Sequence, residues 1–195
     1  MATTFKSADG SMMYERLTWP IYSSAALATG ATSAVFFTVP LGGGSSVWNA
    51  SGPATLEDTN MTVAGSLPAG YTHHTKGVSI QFQPSISVID AKAILKGGAL
   101  QLKIAAKDQL QGPIIMFPGG SGIDGAIGTQ TAAATNEFAH SGIADPRSIF
   151  PLDNEVTILP NQNISCRIDW GTGPTLSATQ PIRLVFWGWL DRPVQ

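Results

Sequence analysis

The chain closes on PIRLVFWGWLDRPVQ, residues 181–195, and the reading of this stretch decides the fold. Side chains alternate across a strand. Ile182, Leu184, Phe186 and Leu190 then share one face, while Arg183, Val185, Trp187, Trp189 and Asp191 share the other, with Gly188 between them. Both faces carry large apolar groups. A sheet open to water on one side shows a clean apolar/polar alternation instead. This strand is therefore expected to be covered twice, by a second sheet on one face and by the N-terminal arm or a neighbouring subunit on the other.

Working outward, most of the chain reads as short strands. Residues 77–84 alternate Val78, Ile80 and Phe82 against Ser79, Gln81 and Gln83. Residues 99–105 alternate Leu100, Leu102 and Ile104, and residues 163–170 alternate Ile164, Cys166, Ile168 and Trp170. Residues 34–41 (AVFFTVPL) are β-branched and aromatic and stop at three glycines. Shorter strands are expected at 61–64, 113–117 and 156–159. Residues 85–96 are the one predicted helix: Ile86, Ile89 and Ala93 recur at helical spacing, Asp90 and Lys92 form a polar face, and Gly97 supplies the stop.

Residues 42–60 and 118–151 read as long loops, and loops beyond about 12–15 residues are usually functional or ordered by a partner. About eight strands, one short helix and irregular long loops predict an all-β protein, an antiparallel β-sandwich of jelly-roll type. An N-terminal arm over residues 1–32 precedes a single domain over 33–195. The arm is expected to pack on a neighbour or along the sheet, so that removing residues 1–18 weakens assembly and leaves the domain folded.

Composition narrows the function. Of the 195 residues only 12% are charged, about half the roughly 25% of an ordinary globular protein. Interface cores are depleted of charge, so the low fraction favours a chain that buries its outer surface against other subunits. The net charge of −2 comes with no basic cluster, which argues against direct nucleic-acid binding. The first ten residues, MATTFKSADG, lack the pattern of a signal peptide, and no apolar run reaches the roughly 18 residues of a membrane span. The sequons at Asn49, Asn60 and Asn163 are then chance matches. The single Cys166 falls on an apolar alternation and is expected in the core.

A search for chemistry finds little. Adjacent His73 and His74 point apart on a strand, and with His140 they form no metal-ligand spacing, so surface or interface positions are expected. Gly119-Gly120-Ser121-Gly122 lacks the Gly-Lys-Ser/Thr ending of a phosphate loop. Asp145, Asp153 and Glu155 lack the regular spacing of a Ca²⁺ loop. Trp187 and Trp189, two residues apart on one face, form a ladder that suits either packing or sugar stacking. Their neighbours Arg183, Val185 and Asp191 favour packing, because they are not the polar set that sugar hydroxyls need. No catalytic residue, cofactor or metal ligand is assigned. The candidate interface residues are Trp19, Val185, Trp187, Trp189 and, in the long loop, Ile123.

Three stretches carry a resemblance. The first is Asp58-Thr-Asn-Met61 with Gly65-Ser-Leu-Pro68 and Gly77-Val-Ser-Ile-Gln-Phe82. The second is Gly98-Ala-Leu-Gln-Leu-Lys-Ile104 with Gly112-Pro-Ile-Ile-Met-Phe-Pro-Gly-Gly120. The third is Ile158-Leu-Pro-Asn-Gln-Asn-Ile164 with Ile168-Asp-Trp170 and the closing strand. Over most of residues 58–195 this pattern of strands, prolines and glycines is similar to single jelly-roll capsid-shell proteins of bacteriophages, coat or decoration (cement) subunits. The resemblance implies a non-enzymatic virion structural protein, made in the host cytoplasm. Its partners would be copies of itself, trimers being common in such shells, and other capsid proteins. The alternatives are a carbohydrate- or receptor-binding sandwich on a tail or fibre, which requires exposed Trp187 and Trp189, and a small metal-dependent β-barrel enzyme using the histidines.

Overall fold

The closing strand, β12 (Gln180–Pro193), is the axis of the larger of two sheets in the computed structural model, which describes residues 3–6, 13–49, 51–83, 86–117, 124–126, 138–140 and 149–194. Along one edge β12 pairs with β5 (Thr72–Phe82), which in turn pairs with β10 (Phe150–Ile158). Along its other edge it pairs first with β3 (Ile21–Leu27) and, further on, with β2 (Met13–Thr18), which carries β1 (Thr3–Lys6) outward. Every pairing is antiparallel. The second sheet runs β4 (Ser33–Phe36), β11 (Ile164–Trp170), β6 (Gly98–Ile104), β7 (Lys107–Pro113). Strands β8 (Asp124–Ala126) and β9 (Phe138–His140) pair with each other.

The pairings have a simple logic. β3 pairs with β12, β4 with β11, β5 with β10 and β6 with β7. First meets last and the fourth meets its successor, as in one long antiparallel hairpin rolled into two sheets. These pairings make the molecule the expected all-β antiparallel sandwich. The inner faces meet in one core: Ile80, Ile182, Leu184 and Phe186 from the large sheet, and Phe36, Leu100, Leu102, Cys166 and Ile168 from the small one, each at most 1% exposed. Burial holds the Cys166 thiol neutral, pushing its pKa up, so it is a core residue as expected. Truncating one of the large buried aromatics such as Phe186 removes about 3–5 kcal/mol of transfer and packing energy.

Several boundaries differ from the sequence reading, each for a local reason. The strand expected at 34–41 ends at Phe36 because Phe37 turns into the left-handed region (φ 63°). Its N–H donates to Ser23 Oγ at 2.8 Å, and its ring stacks on Phe186 with centroids 5.2 Å apart. Consecutive phenylalanines thereby both enter the core, which an unbroken strand forbids. No strand forms at 61–64; those residues belong to the loop between β4 and β5. Of the strand expected at 113–117 only Pro113 lies in one, at the end of β7; Ile114–Met116 is a 3₁₀ turn that drops Ile114 into the core and leaves Ile115 outside.

The strand before that turn, β7, went unread because the two residues joining β6 to β7 are Ala105 and Ala106, both left-handed (φ 49° and 68°). Such two-residue hairpin turns ordinarily advertise themselves through Asn or Gly. The helix is α1 (Val88–Leu95), capped by Ser87, whose Oγ accepts from the Asp90 N–H. Its faces are rotated from the expected ones. Ile89 is exposed, whereas Asp90 is buried and accepts hydrogen bonds from Ser177 and from Gln180 Nε2, tying the helix to the start of β12.

The arm boundary also moves. Residues 21–27 are an integral strand of the sandwich and residues 13–18 pair with the far end of β12, so an arm ending at residue 32 is too long. The two strands follow the edge of β12 in succession, interrupted at Trp19 and Pro20. Proline has no N–H to contribute to the ladder. The Trp19 N–H bonds back to the Gly188 carbonyl at 3.1 Å. Gly188 is required there, since a Cβ would lie 1.8 Å from the His74 carbonyl oxygen.

Candidate functional site

The second face of the closing strand is the face for which the sequence left a cover to be found. The chain covers it itself, in two parts. Around Arg183 and Val185 the cover is the loop over residues 44–58. Asp58 organises this loop: its carboxylate accepts from Ser46 Oγ and from the backbone N–H groups of Val47, Trp48 and Thr55, at 2.6 to 3.2 Å. Burial opposes ionisation of Asp58, but these donors outweigh it and hold its pKa below the usual value.

Trp48 then lies against the sheet, with Nε1 donating to Ser24 Oγ at 2.7 Å. The Arg183 guanidinium sits 4.5 Å from the centre of the Trp48 ring and 5.6 Å from that of Tyr22, and it donates to the Glu57 carbonyl. Burial pushes the pKa of Arg183 down, partly offset by Tyr22 and Glu57. Val185, between strand partners Tyr22 and Ser79, is 3% exposed.

Further along, the cover is a ladder of rings and charges. Trp187 Nε1 donates to Ser79 Oγ at 2.8 Å. Trp189 stacks on the His74 imidazole, with centroids 5.5 Å apart. Lys76 Nζ lies 5.2 Å from the centre of the Trp189 ring, and the Arg16 guanidinium 5.1 Å. Arg16 also lies over Phe5, at 5.2 Å, and Phe5 stacks on Tyr14. A β-bulge in β5 supports this: Trp187 pairs with Gly77 and Gly188 with Thr75, so Lys76 is the extra residue. Side chains 74 and 76 therefore share the outer face with Trp189, while Val78 and Ile80 return to the core.

The ion pairs interlock. Arg16 meets Asp191 in a two-point pair, Nε to Oδ1 and Nη2 to Oδ2, each 2.7 Å. This hydrogen-bonded pair raises the pKa of Arg16. His74 Nε2 lies 3.2 Å from the same Asp191 Oδ2, and its Nδ1 contacts Glu155 Oε1. Lys76 Nζ lies 3.2 Å from Glu155 Oε2. The His74 contact, followed by Lys76, holds the Glu155 pKa below its usual value.

His73, one residue away, faces the opposite side and is 0% exposed, which corrects the expectation of a surface or interface position. Its Nε2 is 2.9 Å from the Trp19 carbonyl and its Nδ1 3.1 Å from Thr75 Oγ1. With Nε2–H donating to the carbonyl, it fastens the break between β2 and β3. Burial pushes its pKa down to about 4, so it works there as a neutral imidazole.

Trp19 is 43% exposed and lines a groove of about 200 Å³ together with Leu17, Met61, Leu67, Tyr71 and Leu190. Of the candidate interface residues, then, Trp19 is open to solvent, Val185 is buried within the chain, and Trp187 and Trp189 are half-buried under their own neighbours. Ile123, the glycines 119–122 and Asp145 lie outside the described residues, as does the side chain of His140.

The sequence reading missed His74, Glu155, Asp191 and Arg16 as one group. The signal was the close spacing of His74 and Lys76 beside a charged end of β12; what brings them together is a bulge and a pairing between chain ends. Among the described residues, no three His, Cys, Asp or Glu side chains are grouped as metal ligands, and no helix is long and apolar enough to cross a membrane. No protein-family model matches the chain, and no curated protein matches its sequence.

Proposed function

We propose that the chain is a structural subunit of a bacteriophage capsid shell, a coat or decoration protein that stabilises the particle by packing against copies of itself and against other capsid proteins. The observation that carries this reading is the N-terminal hairpin. Among the described residues β1 pairs only with β2, at the edge of the large sheet, and all four of its residues are exposed. Phe5, Met13 and Trp19, on or next to it, are 36%, 49% and 43% exposed. An edge strand with exposed apolar side chains beside it is an aggregation hazard in a lone monomer. In a shell the same edge is a contact. The low charge fraction agrees with it.

The carbohydrate-binding alternative is weakened. It needs the indoles of Trp187 and Trp189 free for a sugar ring, whereas Trp189 is engaged by His74, Arg16 and Lys76. The test is particle incorporation of a chain lacking residues 1–12. The cut falls before Met13, because removing residues 1–18 would also take β2 and Arg16 from the sheet. The shortened chain is expected to fold and to be incorporated poorly; normal incorporation would overturn the role given to the hairpin.

A further inference from the structure

We propose that His74 is a pH-set latch fastening the N-terminal hairpin to the sandwich, closed when the imidazole is protonated and loosened when it is neutral. Both ring nitrogens face carboxylate oxygens, Nδ1 facing Glu155 and Nε2 facing Asp191. A neutral imidazole has one N–H and one lone pair. Whichever tautomer forms, a lone pair is then aimed at a carboxylate. Only the imidazolium donates to both.

The charged groups around it are Glu155 from β10, Asp191 from β12, Arg16 from β2 acting on Asp191, and Lys76 from β5 itself; His73 points to the opposite face. Arg16 and Lys76 already balance the two carboxylates in number. Net charge does not call for a third cation, and the two-sided geometry does. The side chain of His74 is 17% exposed, so its proton can exchange with water.

The latch reaches the hairpin through a single oxygen. Asp191 Oδ2 is shared between His74 Nε2 and Arg16 Nη2. Arg16 is the residue of β2 that lies over both Phe5 of β1 and Trp189 of the body. When His74 loses its proton, the lone pair repels Asp191 or Glu155, and the carboxylate that fixes Arg16 is no longer held from both sides. The hairpin keeps its backbone pairing to β12 and loses the side-chain anchorage on its outer face. The contact is therefore stronger with the imidazolium than with the neutral ring.

The inference concerns the isolated chain and goes beyond the shell reading, so either can fail without the other. It is tested by backbone hydrogen exchange of the full chain at about pH 6 and about pH 8, with rates corrected for the intrinsic pH dependence of exchange. Protection over residues 13–18 is expected to fall roughly three- to tenfold at the higher pH, with β6 and β11 unchanged. In His74→Gln, whose amide stays uncharged at every pH, the response is expected to be flat. Equal protection at both pH values in the parent chain, or the same fall in His74→Gln, would overturn the proposal. Should His74→Gln not fold, the ring ¹⁵N spectrum of the parent decides. An imidazolium that loses its proton in step with a shift of the Arg16 amide supports the latch, and a ring neutral throughout that range overturns it.

Discussion

Arg16 and Asp191, 175 positions apart in the chain, meet in a two-point ion pair that joins the first strands of the protein to the last. The planar fork of the guanidinium matches the two carboxylate oxygens. Arg16→Lys keeps the charge and loses the fork. With the arginine side chain 42% exposed, screening keeps the contribution small. A double-mutant cycle with Asp191→Asn, read by urea denaturation, should give a coupling of about 1 kcal/mol that shrinks with added salt. Strictly additive effects would contradict a direct pair.

His73 faces the core side of β5, away from His74, and burial sets its response to pH. His73 has its pKa lowered from 6.5 to about 4 in the folded chain. The unfolded chain therefore binds more protons between those values, and stability falls as the pH drops from about 6.5 towards about 4. The expected loss is on the order of a few kcal/mol. Denaturation midpoints of the parent and of His73→Gln across this range check it. An equal acid slope in the variant would show that other groups cause the loss.

Asp58 is the organising acceptor of the loop that shields Arg183 and Val185. Asp58→Ala leaves the Val47, Trp48 and Thr55 N–H groups without their acceptor. A cost of about 2–3 kcal/mol is expected, together with faster proteolysis within residues 44–57. Protease resistance equal to the parent's would mean that the loop is held by other contacts.

The Ala105–Ala106 turn is the place to stabilise the fold. Both residues are left-handed, a conformation that costs an alanine roughly 1 kcal/mol or more and glycine little. Ala106→Gly, or Asn-Gly over the pair, should raise stability by up to about 1 kcal/mol, seen as a higher melting temperature. A lower one would contradict the turn geometry.

That turn also marks how far the sequence was legible. Alternation in β5, β6, β11 and β12 placed the core correctly, because a two-residue period survives wherever one face is buried. It failed where backbone conformation is set by the tertiary structure. Phe37 leaves the strand to reach Phe186, and the alanine turn carries no glycine to announce it. Residues 13–27 look like an arm because strands that pair with the far end of the chain owe their place to a partner some 150 to 180 positions away. On the closing strand, the core face was legible down to each residue. Its other face is covered by Trp48, Arg183, His74, Lys76 and Arg16, which local pattern could not assemble.

A chain that is a shell subunit, as proposed, is built into a particle in large, fixed number. Quantitative mass spectrometry of purified virions tests it directly by counting copies per particle. A constant, symmetry-set multiple that stays with intact shells through purification is expected. A chain absent from purified particles, or present in a few variable copies, would contradict it.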